Sequence, residues 1–215
     1  MERHDFWYPA EAESLGGIPT GTRAGQFLFL STQTPINLDT GQVIRRLEDL
    51  PPEEHAKVAM GNAQLDVDCG PIRAQTWTIY QNLSKILAQQ GSSLENIIHQ
   101  RIYLTDKTDT RHMEEVMLSF FPDYKPTTMI AAVPNRGLHD GIRMMMDAIA
   151  LIPQDGGLQK EAIFLPELEA VTAPYPQAVR VGQFLFMGEM MGINPETGRV
   201  VTSLADLDYL GPDAP

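Results

Sequence analysis

The chain has 215 residues, 43% hydrophobic and 20% charged, the balance of an ordinary globular protein long enough to bury a core. Its net charge of −12 repels a phosphate backbone and argues against nucleic acid as a partner. No apolar run reaches the roughly 20 residues of a membrane span, the opening MERHDFWYPAEAES lacks the apolar core of a signal peptide, and the single Cys69 forms no internal disulfide, which fits a reducing cytoplasm.

Residues 1–23 are polar and rich in Gly and Pro, and the first strand begins over Gln26 to Ser31. Phe27 and Phe29 point one way and Leu28 and Leu30 the other, so both faces of this strand are expected to be covered. Asn37-Leu-Asp-Thr-Gly41 supplies turn residues, with a Gly suited to positive φ, and predicts strand, turn and strand. Residues 45–72 hold charge and Pro51-Pro52 with no sustained period; they read as a surface insertion with a short helix near Glu53 to Met60. From Ala74 to Gln90, Trp77, Tyr80, Leu83 and Leu87 recur at helical spacing, and Gly91 ends the run. Ser92-x-x-Glu95 resembles a capping box for one short turn.

Ile97 to Leu104 follows as a strand, with Ile98, Ile102 and Leu104 on one face. Asp109 or Thr110 can cap a second helix, whose Met113, Val116, Met117, Phe120 and Phe121 match an amphipathic stripe that Pro122 stops. Strands over Thr128 to Val133 and Ile142 to Leu151 close the unit. In the latter, Met144, Met146, Ala148 and Ala150 are placed to pack on the helices, while Arg143, Met145 and Asp147 take the opposite face. The order β-β-insertion-α-β-α-β-β describes an α+β unit with two helices on one face of a mixed sheet.

Residues 1–152 form that unit, and 153–170 read as a linker. The chain then repeats itself. Val181 to Leu207 aligns without a gap to Ala24 to Leu50 at an offset of 157, with 13 of 27 positions identical. Such self-similarity marks a duplicated unit. Only 35 residues remain from Val181 to Pro215, so residues 171–215 are expected to hold the opening of a second, incomplete copy, and the chain to be a fragment of a longer two-unit protein.

The segments GQFLFLSTQTPINLDTGQV, QTWTIYQNLSKILAQQGSSLENIIHQRIYLTD, FFPDYKPTTMIAAVP and IRMMMDAIA, in this order, resemble the RidA/YjgF family of reactive-intermediate (enamine/imine) deaminases, over most of residues 18–152 apart from the insertion. The resemblance implies a chorismate-mutase-like, mixed six-stranded sheet with two helices on one face, assembled as a trimer with small pockets between subunits. The restart near Tyr175 resembles tandem members, for which a pseudo-trimer built on repeat contacts is the corresponding assembly. In active members an Arg after the second helix binds the substrate carboxylate as a bidentate pair, and a Glu in the last strand directs water onto the C=N bond.

Transferred by position, the family's Arg falls on Thr128 and its Glu on Asp147, which keeps the carboxylate with one methylene less. The pocket Tyr falls on Ile18 in the first copy and Tyr175 in the second. The Ser-Gly pair falls on Ser31-Thr32 and Gly188-Glu189, and Tyr103 takes an aromatic wall position. The resemblance thus nominates Asp147 as catalytic, and Ser31, Thr32, Tyr103, Thr128 and Tyr175 as substrate-binding. Arg136 and Arg143 are candidate replacements for the missing guanidinium; Arg143 shares a face with Asp147 but stands about 13 Å along the strand. Arg23 and Arg180 match in the repeat and flank its first strand.

His55, His99, His112 and His139 stand at no metal spacing and His4 lies at the terminus, so neither a metal site nor a cofactor is expected. Cys69, without a neighbouring His, reads as a bystander thiol, and Met144-Met-Met146 as core and interface filler.

Two functions from different classes compete. One is a hydrolytic deaminase of small imines or enamines whose substrate has changed because Thr128 offers no charge-assisted anchor. The other is a small-ligand-binding or scaffold domain without chemistry. Ribonuclease activity, known for parts of the family, is disfavoured by the acidic charge.

Overall fold

The computed structural model describes residues 2–8, 17–133, 141–166, 174–190, 192–194 and 197–202. Six strands form the main sheet: β1 Arg3–Phe6, β2 Gly21–Ala24, β3 Phe27–Gln33, β4 Ile97–Leu104, β5 Thr127–Ala132 and β6 Met144–Leu151. Their spatial order is β1-β2-β3-β6-β4-β5, antiparallel except between β4 and β5. A parallel neighbour needs a crossover, and helix α4 (Thr110–Leu118) supplies it. The mixed six-stranded α+β unit is therefore as expected.

Helix α3 spans Gly70–Gln89 and starts one turn before the apolar period does, because Pro71 is well suited to a first turn. Gly91 at φ +73° terminates it. Its Ile72, Ile79, Tyr80, Leu83, Ile86 and Leu87 are buried in one cluster with Met113 and Met117 of α4. Leu28, Leu30, Met144, Met146, Ala148 and Ala150 supply the sheet side of that core.

Three local features differ from expectation. The first is that β1 and β2 precede the first expected strand. Each is only four residues long and β1 is largely exposed, so neither carries an alternation signal. The second is that after β3 the corner at Asn37 to Gly41 is closed by a single bridge, Ile36 to Val43, and no second strand follows it. The third lies in β4: its register to β6 shifts between Ile97 and His99, so Ile97 joins Ile102 and Leu104 in the main core while Ile98 joins a second cluster. A bulge changes the side to which residues before and after it point, and strict alternation cannot foresee it.

Residues 45–72 carry more structure than one short helix. A 3₁₀ turn at Leu47–Asp49, α1 (Pro52–Val58) and α2 (Ala63–Asp68) pack against α3. Ile44, Leu47, Leu50 and Val58 are buried with Ala74 and Val116, flanked by Trp77 and Phe120. The fit is close: a Cβ at Gly70 would stand 2.7 Å from Leu47 Cδ1. Periodicity missed this because the apolar residues are spread over elements too short to show a period.

The segment read as a linker contributes β7 (Lys160–Ile163), which pairs with β8 (Ala178–Val181), itself paired with β9 (Phe184–Met187). This second sheet copies β1-β2-β3 at the offset of the sequence repeat. Lys160 pairs with Val181 as Arg3 does with Ala24, and Val181 with Phe184 as Ala24 does with Phe27. The bridge Ile193 to Val200 copies Ile36 to Val43. Val179, Val181 and Phe186 pack on Phe27, Ile98, Ile149 and Leu151, on the face of the main sheet away from the helices.

Leu47→Ala should cost about 2–5 kcal/mol, as for a core truncation, measured by urea unfolding. A loss below about 0.5 kcal/mol, the scale of a surface change, would return residues 45–72 to the exterior.

Candidate functional site

Along β6 the pleat sends Met144, Met146, Ala148 and Ala150 into the core and leaves Asp147 on the other face. A carboxylate there is largely removed from water and needs partners. The register supplies them, since Asp147 pairs with Arg101 of β4 and Met145 with Tyr103. Arg101 Nε donates to Asp147 Oδ1 at 2.8 Å, and the Tyr103 hydroxyl donates to Oδ2 at 3.3 Å. The Asp147 side chain is 12% exposed and that of Arg101 49%, so the guanidinium reaches from the carboxylate into solvent. The bond to Asp147 holds the Arg101 pKa above its ordinary value. Burial, followed by the Asp147 charge, raises that of Tyr103 and keeps its proton available for donation.

On the other side of Asp147, Leu30 pairs with Ala148 and Gln33 with Met146. Two residues of β3, Ser31 and Thr32, thus stand against Asp147 alone, the count of a β-bulge. The Ser31 hydroxyl donates to the Pro19 carbonyl at 2.7 Å, and Thr32 is exposed. Four of the nominated residues, Asp147, Tyr103, Ser31 and Thr32, therefore lie on three adjoining strands.

Thr128 and Tyr175 are elsewhere. Thr128 is buried on the helix side, where its hydroxyl accepts from Gln100 Nε2 at 2.9 Å and donates to the Pro126 carbonyl at 3.2 Å. Gln100 also accepts from the buried Tyr80 hydroxyl at 2.8 Å, so Thr128 ends a chain of polar groups inside the core. Tyr175 packs on the main core and donates to Glu114 at 2.6 Å; burial, then that bond, drives its phenol pKa up. The two residues are related through the outer edge of β5. There the Thr128 carbonyl accepts from Glu189 N–H at 3.1 Å, and Ile130 N–H donates to the Glu189 carboxylate at 3.2 Å.

Arg143 does not turn toward Asp147. It pairs with Asp109 at 2.8 Å and donates to the Asp68 carbonyl. Arg136 and His139 lie outside the described residues. The guanidinium beside Asp147 is that of Arg101, which sequence reasoning missed. The available signal was the polar series His99, Arg101 and Tyr103 at alternate positions of β4, but its meaning depends on which strand lies alongside.

Two open grooves of about 410 and 500 Å³ are lined by described residues, one by His4, Phe6, Arg23 and Gln90, the other by Asn96, Leu151, Asp155 and Lys160. Neither contains Asp147. Among the described residues no three His, Cys, Asp or Glu side chains converge on a metal-sized site.

His99 borders the pair. The Thr127 hydroxyl donates to the Ile98 carbonyl at 3.0 Å, so its contact of 2.9 Å with His99 is one in which Nδ1–H donates. Burial, then the Arg101 charge, lowers the His99 pKa below its ordinary 6.5. The folded protein therefore holds fewer protons there than the unfolded chain. Stability contributed by neutral His99 is complete above pH 6.5 and declines as the pH falls toward the lower folded value. His99→Gln should flatten the fall in melting temperature between pH 7 and 5, and an unchanged slope would place the acid sensitivity in other groups.

The family model described as Endoribonuclease L-PSP matches residues 57–152. The mitochondrial protein mmf1 of Schizosaccharomyces pombe is 30% identical over 132 residues, which span 57% of this chain and 78% of that protein. A RutC family protein of Pyrococcus abyssi is 26% identical over 136 residues, 63% of this chain and 87% of the relative. Among solved structures, a candidate endoribonuclease of Klebsiella pneumoniae superposes with a TM-score of 0.58 at 26% identity, covering 63% of this chain and all of that one. The yjgF gene product of E. coli, 18% identical, superposes with a TM-score of 0.51 over 70% of this chain and 99% of its own, a likeness of fold. The paired sheet, the two covering helices and these relatives agree, and the chain belongs to the RidA/YjgF family.

Proposed function

We propose that the protein is a divergent hydrolase of small imines or enamines, with Asp147 directing water onto the C=N carbon and Arg101 taking the anchoring role that Thr128 lacks. The observation that carries this reading is the Arg101–Asp147 pair, 2.8 Å long and held by Tyr103 on the helix-free face. With its Nε committed to Asp147, Arg101 keeps its terminal nitrogens for a carboxylate, the geometry in which a guanidinium binds best. Asp147 accepts one bond on each oxygen and retains lone pairs for a water. Water adds to the C=N carbon to give a carbinolamine, which expels ammonia and leaves the carbonyl compound. A base placed to polarise that water accelerates such a step about 10²–10⁴-fold.

The second reading is a ligand-binding or scaffold domain without turnover. It is favoured by the partners already present on both Asp147 oxygens. In either case the repeated sheet suits a tandem protein with its ligand between copies or repeats. Exposed Phe29, with Met145 on the same face, suits assembly as a trimer or pseudo-trimer. The charge disfavours nucleic acid, and no described helix is long and apolar enough to cross a membrane; we take the cytoplasm as the compartment.

Ammonia release from 2-iminopropanoate, generated in situ, separates the two. Asp147→Asn should lower kcat about 10²-fold or more, with the melting temperature within a few degrees because the amide keeps the shape. Arg101→Met should raise KM about 10–150-fold, the equivalent of a charge-assisted bond. No turnover by the wild type, together with pyruvate binding unaltered in Asp147→Asn, would establish the scaffold reading instead.

A further inference from the structure

Lys160 opens β7 and pairs with Val181, so the two side chains share one side of the second sheet. That side is packed on the main unit: Val181 is buried with Phe27, Ile98 and Leu151, and Tyr124 and Leu158 flank the cluster. The surroundings of Lys160 are thus set by the main unit as well as by its own sheet. Its Nζ stands 3.2 Å from the centre of the Tyr124 ring and donates to the Glu95 carbonyl. Both partners are neutral, since burial pushes the Tyr124 phenol up and keeps its proton in place. Burial, against a smaller pull from the Glu95 charge, lowers the Lys160 amine to about 8. The neutral amine can give one N–H to the Glu95 carbonyl and still hold its lone pair free.

Lys160 is half-buried and lines the groove of about 500 Å³. Leu151, Pro153 and Leu158 form the apolar part of its wall, Asn96 and Gln154 a polar part, and Asp155 is the one other charged residue there. We propose that Lys160 is a reactive amine that captures small, uncharged aldehydes in this groove as imines. The Nζ lone pair bonds to the carbonyl carbon and one amine proton passes to the carbonyl oxygen. The carbinolamine then loses its hydroxyl with the second amine proton as water, leaving C=N. A lysine desolvated beside apolar groups is the usual nucleophile for this step. Once protonated, the imine carries its charge over the same Tyr124 face that holds the ammonium. The walls choose the aldehyde: the apolar residues suit a hydrocarbon chain, whereas a carboxylate would meet Asp155 and no cation besides the amine itself. Asp147 does not line this groove, so capture here stands apart from the hydrolase reading.

The test treats the full chain with hexanal and sodium cyanoborohydride, which reduces each imine to a stable secondary amine, and locates labelled lysines by peptide mass mapping. At about pH 7.5, Lys160 with its pKa of about 8 holds about 200 times the neutral fraction of an ordinary lysine. Its lower basicity cancels part of that advantage. Labelling about tenfold or more faster than at the exposed Lys107 is expected. Gln154→Trp, which narrows the groove from an exposed position, should reduce this preference severalfold with the melting temperature unchanged. Glyoxylate, an aldehyde that carries a carboxylate, should show a smaller preference for Lys160 than hexanal does. Equal labelling of Lys160 and Lys107 by hexanal, or a preference untouched by Gln154→Trp, would overturn the proposal. A preference as large with glyoxylate would overturn the choice of an uncharged aldehyde.

Discussion

Everything in the main unit hangs on the antiparallel pairing of β4 with β6. Both are interior strands of the sheet, and their register places Ile102 against Met146 and Gln100 against Ala148, all turned toward the helices. Because side chains alternate with a period of two, a slip of β6 by one residue would carry Asp147 into the core and Met146 out of it. A carboxylate parted from its guanidinium could not be accommodated beneath α3 and α4 without a large desolvation cost. The register that buries the hydrocarbon is thus the register that juxtaposes the ionic groups.

The two faces of the sheet handle polarity differently. On the helix side, Tyr80, Gln100 and Thr128 form a neutral hydrogen-bonded chain. On the other side, Asp147 is mostly buried but meets a guanidinium that remains half in water. An exposed ion pair contributes about 0–1 kcal/mol, and a buried one repays its desolvation only with good geometry. The Arg101–Asp147 pair lies between these limits. It holds a mostly buried carboxylate without removing its partner from solvent.

The second sheet shows how far a local pattern can dictate structure. Gly25 and Gly182 take φ values of +60° and +57°, and Gly41 and Gly198 values of +70° and +67°. The strand pair closed by the first glycine and the bridge closed by the second keep the same register in both copies. Surroundings do not follow from that pattern, because burial is a property of whatever lies above a face. Leu28 and Leu185 pair with matching arginines, Arg23 and Arg180, and have opposite exposure, for only Leu28 has a further strand, β6, beside it.

Sequence alone determined the repeat and its offset, the α+β class, the two covering helices and the alternation that turns Asp147 away from the core. These are short-range consequences of period and turn chemistry, and they need no knowledge of which strand meets which. Tertiary structure decided what depends on pairing between distant segments. It brought Arg101, 46 residues from Asp147, to that carboxylate, set Ser31 and Thr32 opposite it through a bulge, and enclosed Thr128 with Gln100 on the far face. It also gathered Leu47 and Leu50 of the 3₁₀ turn and Val58 of α1 into a second small core. A one-residue bulge or a choice of neighbouring strand changes no local periodicity, yet it selects the groups that share a site; only the folded packing carries that information.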